Sequence, residues 1–127
     1  VCYAIPTIKL AEKVVRVGNT SGRDIDKFTT FKLTTEPALY VKAPLITECY
    51  SNLECKVVDS SMSNKYNFFV LEVLKAWINY PIEKDPQTIH HKGEGVFMVA
   101  GKTVRFPSKD EISPNPKIVI CTNRKLL

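Results

Sequence analysis

The sequence predicts a mostly β domain, an antiparallel barrel that is closed or split, with two short helices near its start. Three observations carry that expectation. Short apolar runs with partial two-residue alternation recur from residue 50 onward. Helical periodicity is confined to the first thirty residues. Strands and helices do not alternate as βαβ units would require. The scale agrees: 127 residues, of which 44% are hydrophobic and 24% charged, make one domain with a real core. A chain of this size buries roughly two-thirds of the surface its unfolded form exposes. A disordered tail, a collagen-like repeat and a disulfide-stapled miniprotein are excluded.

Residues 1–5 read as an apolar strand ended by Pro6. Thr7 is placed to cap a helix carrying Leu10, Ala11, Val14, Val15 and Val17. Gly18-Asn19-Thr20-Ser21-Gly22 breaks that helix, and Asp24 is placed to cap a second one over residues 25–31. Pro37 and Pro44 bracket an irregular or edge-strand stretch. Residues 50–60 form a strand with Leu53, Cys55 and Val57 on one face. Residues 67–79 form another, with Phe69, Leu71 and Val73 on one face and Phe68, Val70, Glu72 and Leu74 on the other. The polar residues 60–65 are the hairpin between them, and residues 80–87 are a proline-bearing loop. Residues 96–99 and 103–106 read as two strands around a turn at Ala100-Gly101-Lys102. Residues 118–121 read as a last edge strand or a terminal arm. The chain opens on Val1 rather than Met, so either a leader has been removed or this is a piece of something longer.

Eighteen Lys and Arg against thirteen Asp and Glu give a net charge of +5. The bases are scattered rather than gathered into a patch, which argues against a nucleic-acid partner. The excess mildly favours small anionic ligands, and a solubilising surface is an equal alternative. Four cysteines (Cys2, Cys49, Cys55 and Cys121) show no CxxC and no zinc-type pairing with histidine. Cys49 and Cys55 in one extended segment would lie about 20 Å apart, too far for a disulfide. Free thiols, no signal-peptide layout and no bilayer-length apolar run together predict a cytoplasmic protein without a membrane partner.

Two stretches carry candidate chemistry. In Gly18-Asn19-Thr20-Ser21-Gly22-Arg23-Asp24-Ile25-Asp26-Lys27-Phe28, hydroxyls, a glycine and two cations stand before a helix, a combination able to hold an anionic oxygen. An ordinary inter-helix turn explains the same pattern. In Ile89-His90-His91-Lys92-Gly93-Glu94-Gly95-Val96-Phe97-Met98-Val99-Ala100-Gly101-Lys102, the adjacent histidines point to opposite faces of an extended chain and make a poor metal pair. No metal site is expected. Gly93 and Gly95 allow a tight bend or close approach of a flat ligand, and Phe97 either stacks on a ring or fills the core. No nucleophile elbow, Walker loop or dinucleotide fingerprint is present.

Four blocks in register across residues 1–106 resemble the flavin reductase-like proteins, FMN-binding split barrels of the flavoredoxin type. Ser21-Gly22-Arg23 through Asp26-Lys27-Phe28 is similar to the family's SGRxxDKF segment. Val41-Lys42-Ala43-Pro44-Leu45-Ile46 with Asn52-Leu53-Glu54-Cys55 resembles its next block. Phe69-Val70-Leu71-Glu72-Val73 matches a later strand, with Leu71 in place of the usual glycine. His90-His91-Lys92-Gly93-Glu94-Gly95-Val96-Phe97 resembles its HH-G-F stretch.

The resemblance implies a split barrel that binds FMN as a homodimer and passes electrons from NAD(P)H to flavin. A flavin-binding electron carrier without its own NAD(P)H reaction is the alternative, and a non-catalytic oligomerisation or nucleic-acid-binding barrel is a third. It further implies that Lys27 contacts the flavin or its phosphate, with Ser21, Gly22 and Arg23 as the adjoining loop. Phe97 and Phe28 would pack on the ring, and Tyr66 falls near a position that bears a flavin-contacting histidine. His90 and His91 would line the nicotinamide side. Residues 1–106 would be the C-terminal portion of such a domain, and residues 107–127 an arm or tail.

Overall fold

The computed structural model describes residues 1–79 and 85–104, and the backbone of Cys121 and Thr122. A four-stranded sheet forms its spine. Strand β1 (Cys2–Ile5) pairs antiparallel with β4 (Ser51–Asp59), which pairs antiparallel with β5 (Val70–Ile78). Strand β8 (Cys121–Thr122) adds parallel to the end of β5, giving the order β1-β4-β5-β8. Two small ribbons stand apart from it. One joins β2 (Thr35–Glu36) to β3 (Leu45–Ile46), the other β6 (Ile89–Gly93) to β7 (Val96–Val99).

Helix α1 (Ala11–Gly18) follows a single 3-10 turn at Ile8–Leu10. Thr7 was expected to cap this helix, but its side chain makes no cap bond. Its carbonyl instead accepts from Leu10 N at 2.9 Å and closes the turn. The second helix is shorter than the predicted 25–31 and its cap is Asp26 rather than Asp24. Helix α2 (Lys27–Thr30) begins where the Asp26 carboxylate accepts from Phe28 N at 3.0 Å and Thr29 Oγ1 at 2.6 Å. The amides of Asp24 and Ile25 are engaged earlier, both donating to Ser21 O in the preceding turn. A third helical turn, α3 (Ser63–Tyr66), lies in the polar β4–β5 connection and ends on Asn67 in the left-handed region.

The predicted pairing of residues 96–99 with 103–106 is replaced by another. Strand β7 folds back on β6, with His90 opposite Met98 and His91 opposite Phe97. Three successive residues close this hairpin with positive φ: Gly93 at 104°, Glu94 at 51° and Gly95 at 75°. Glycines supply that geometry without steric penalty, so the bend falls there and not at Gly101. Residues 101–104 carry no strand, and 105–106 lie outside the described residues. So do residues 80–84 of the expected loop and, Cys121 and Thr122 apart, the expected tail 107–127.

The core sits where β1, the start of α1, the segment 31–49 and the first half of β4 meet. Leu10, Phe31, Leu45, Cys49 and Cys55 are its buried apolar residues. Four polar residues are buried with them: Thr7, Ser51, Asn52 and Glu54. The Asn52 amide mimics a strand partner, accepting from Ile46 N at 2.9 Å and donating to Ile46 O at 3.0 Å. Glu54 has no solvent exposure at all. Its carboxylate accepts from the backbone amides of Leu39 at 3.0 Å, Tyr40 at 2.5 Å and Val41 at 3.1 Å, and from Trp77 Nε1 at 2.7 Å. Beyond Cys55 the β4–β5 ribbon emerges from the core, exposing Val57, Val58, Val70, Leu71, Val73 and Leu74.

Candidate functional site

The site is built by holding the β6–β7 hairpin against the end of α1. Ile8 N donates to Gln87 O at 2.9 Å, and Thr7 bridges Thr88. These bonds anchor the start of β6 to the turn that precedes α1. Between the two elements lies a cavity of about 520 Å³. Val14, Val15, Gly18 and Asn19 form one wall, and His91, Glu94, Gly95 and Phe97 the other. The volume is within the range typical of small-molecule sites, roughly 300–1,000 Å³. The His91 and Phe97 rings pack against each other, centroids 5.1 Å apart and planes tilted by 46°.

At the end of α1 the terminal carbonyls are satisfied by the following loop. Thr20 Oγ1 donates to Arg16 O at 3.2 Å and to Val17 O at 3.3 Å. Lys27 Nζ reaches back to Val17 O at 2.8 Å, placing a cation at the negative end of the helix. Gly22 packs beside the Lys27 stem, and Ser21 Oγ accepts from Arg23 N at 3.2 Å. Ser21, Gly22 and Arg23 in the loop, and Lys27 at the start of α2, thus follow Gly18 and Asn19 of the cavity wall.

The sequence-predicted residues divide into three groups. His91 and Phe97 line the cavity itself. Ser21, Gly22 and Arg23 stand in the adjoining loop, and Lys27 opens α2 just after it. The other three lie outside the lining: His90 is exposed on the opposite face of β6, Phe28 is exposed on α2, and Tyr66 is 64% exposed at the end of α3. Lys65 stands over the Tyr66 ring at 5.2 Å. Of the other lining residues, Val14, Val15, Gly18, Asn19, Glu94 and Gly95, none was a predicted contact, although Gly18 and Asn19 open the first candidate stretch and Glu94 and Gly95 lie within the second. The signal for Glu94 was its place between two glycines, which forces any hairpin tip to present it.

A second, smaller cavity of about 300 Å³ lies across α1, walled by apolar groups of Tyr3, Leu10, Val14, Val17 and Cys49. Burial, with help from Glu48 and Cys2, raises the Cys49 thiol to about 11, so it is no nucleophile at neutral pH. Cys2, Cys49 and Cys55 are free. Among the described residues, no three His, Cys, Asp or Glu side chains gather in a metal-binding group, and no helix is long and apolar enough to cross a membrane.

Comparison with known proteins identifies the family. The model of the flavin reductase like domain matches residues 7–100. The chain belongs to the flavin reductase-like family. Its architecture is that of the split-barrel members. It superposes on the FMN-binding domain of a flavin reductases-like enzyme from Shewanella baltica with a TM-score of 0.69 at 19% identity, covering 84% of this chain and 62% of that one. On the flavoredoxin of Desulfovibrio vulgaris (Miyazaki F) the TM-score is 0.68 at 17% identity, covering 86% and 63%. In sequence, an uncharacterized protein of Archaeoglobus fulgidus is 39% identical over 71 residues, 56% of this chain and 40% of the relative. YddH of Escherichia coli, also uncharacterized, is 29% identical over 111 residues, 79% of this chain and 59% of its own length. The chain therefore spans less than two-thirds of each of these proteins.

Proposed function

We propose that this chain is the FMN-binding part of a flavin reductase-like oxidoreductase that takes electrons from NAD(P)H. The observation that carries the reading is the cavity between α1 and the β6–β7 hairpin, walled by an aromatic pair and bordered by a cationic loop. A flavin is a flat aromatic with an anionic tail, and each half finds complementary chemistry here. Phe97 and His91 offer a ring surface, and Val14 and Val15 an aliphatic wall. Arg23 and Lys27 offer positive charge for the phosphate. Lys27 would exchange its bond to the Val17 carbonyl for one to the phosphate. When bound, the flavin supplies the hydride-accepting chemistry. The protein's part is to hold the ring, exclude water from one face and balance charge at the tail.

Neutral-to-basic character (net charge +5) supports an anionic cofactor. The exposed apolar ribbon of distal β4 and β5 supports association into a homodimer. The test is direct. Added FMN should be retained through gel filtration, and NADH or NADPH oxidation should depend on it. Lys27→Ala should weaken FMN binding by about tenfold, the value of one charge-assisted hydrogen bond. Equal affinity in variant and parent would remove Lys27 from the site. FMN retention without NAD(P)H oxidation would instead identify an electron carrier.

A further inference from the structure

The smaller cavity, of about 300 Å³, takes no part in the function proposed above. Tyr3, Leu10, Val17, Leu33 and Ile46 line it with apolar groups. The two remaining polar side chains of its wall bring no free charge inside. The Lys13 ammonium donates to Lys32 O at 3.0 Å, which leaves its aliphatic stem for the wall. The Cys49 thiol, raised to about 11 chiefly by burial, stays uncharged at neutral pH. Glu48 stands next to Cys49 in the chain. Burial pushes its carboxyl up, but the bond from the Thr34 amide and the charge of Lys13 help to outweigh that and keep it ionised. One cation and one carboxylate therefore border the cavity, and neither sign prevails there. Water is a poor occupant, because a buried water needs two to four polar partners. A cavity of about 150 Å³ with comparable walls stays dry and binds one benzene ring. Twice that volume has room for two fused rings.

From this we infer that the cavity beside β1 and α1 is a second binding site, separate from the flavin site, for a small uncharged bicyclic aromatic of the indole or naphthalene type. Tyr3 favours a ring over an alkyl chain. It is 57% exposed on β1, and it gives the wall an aromatic face on which a ring can stack. Leu10, Val17, Leu33 and Ile46 supply aliphatic contact to the rest of the molecule. Binding buries apolar surface that water now reaches, which is the driving force, and it demands no charge partner from the wall.

The experiment uses indole, indole-3-carboxylate and tryptamine, one ring system with a neutral, an anionic and a cationic form. Each is titrated at pH 7 into the full chain without FMN, following the Leu33 and Ile46 methyl groups and the Phe97 ring by NMR. Leu33 and Ile46 line only the smaller cavity, and Phe97 only the larger. Indole should shift the two methyl-bearing residues and leave Phe97 in place. It should also bind about tenfold tighter than either ion, whose charge would lose hydration against an apolar wall. Val17→Phe fills the chamber from α1 and should remove indole binding, as should Leu33→Phe from another wall. If neither variant folds, the shifts in the parent still decide the site. Shifts confined to Phe97, equal affinities for the three ligands, or binding that survives both variants would overturn the inference. So would an indole affinity that falls as protein concentration rises, because that result gives the cavity to a second copy of the chain.

Discussion

Replacing Glu54 by Gln removes one charge and one acceptor from the most buried polar site in the described chain. Oε1 accepts from Leu39 N and Trp77 Nε1, and Oε2 from Tyr40 N and Val41 N. A glutamine keeps one oxygen and turns an NH₂ toward the other two donors. Whichever way the amide flips, two buried N–H groups lose their partner. At about 1–3 kcal/mol for each unsatisfied group, the loss is about 3–5 kcal/mol. That is a large part of the 5–15 kcal/mol typical of whole domains. Urea unfolding followed by the fluorescence of Trp77, the single tryptophan, reads it directly. A Gln variant within about 1 kcal/mol of the parent would refute the claim that this carboxylate holds the 39–41 loop.

The same residue sets an acid limit. Burial pushes the Glu54 carboxyl upward, but the bonds from Leu39, Tyr40, Trp77 and Val41 outweigh it and hold the group below its ordinary value of 4.5. A carboxyl lowered in the folded state stabilises the fold above the unfolded value. That contribution is lost as pH falls from 4.5 through the folded value. The Gln variant should therefore show a shallower loss of stability over that acid window than the parent.

Other outcomes follow from particular contacts. Glu94→Asn should raise stability by about 0.5–1 kcal/mol in urea unfolding, because Asn tolerates the left-handed region. Phe97→Ala should weaken FMN binding by about two- to tenfold, the worth of one aromatic pairing, as measured by flavin fluorescence quenching. Cys49 should resist iodoacetamide at pH 8 in the native protein, where a thiol at about 11 is only about 0.1% thiolate, and react after unfolding. Fast native alkylation of Cys49 by mass spectrometry would show that the core is open there.

Much of the architecture was legible because it depends on local pattern. The spans of β1, β4, β5 and β7 follow from apolar runs and their flanking Pro, Gly and Asn residues. What the pattern missed depends on contacts between distant segments. Alternation in β4 pointed to Leu53, Cys55 and Val57 as the inner face, yet Asn52 and Glu54 are more deeply buried than Val57. Their partners are backbone groups of residues 39–41 and 46, which no periodicity within β4 can reveal. The pairing of β7 with β6 was decided by φ angles at Gly93, Glu94 and Gly95, and the rival turn at Gly101 offered similar composition. At the candidate site, the resemblance marked His91, Phe97 and the 21–27 loop. It assigned no role to Val14, Val15, Gly18, Asn19, Glu94 or Gly95, whose place in the wall depends on how the hairpin docks on α1.

Val14 lines both cavities. A bulkier side chain at that position would narrow two compartments with one substitution. Anyone reshaping the larger chamber should therefore work from Asn19 or Gly95, and the smaller from Leu33 or Ile46, each of which touches only one of the two.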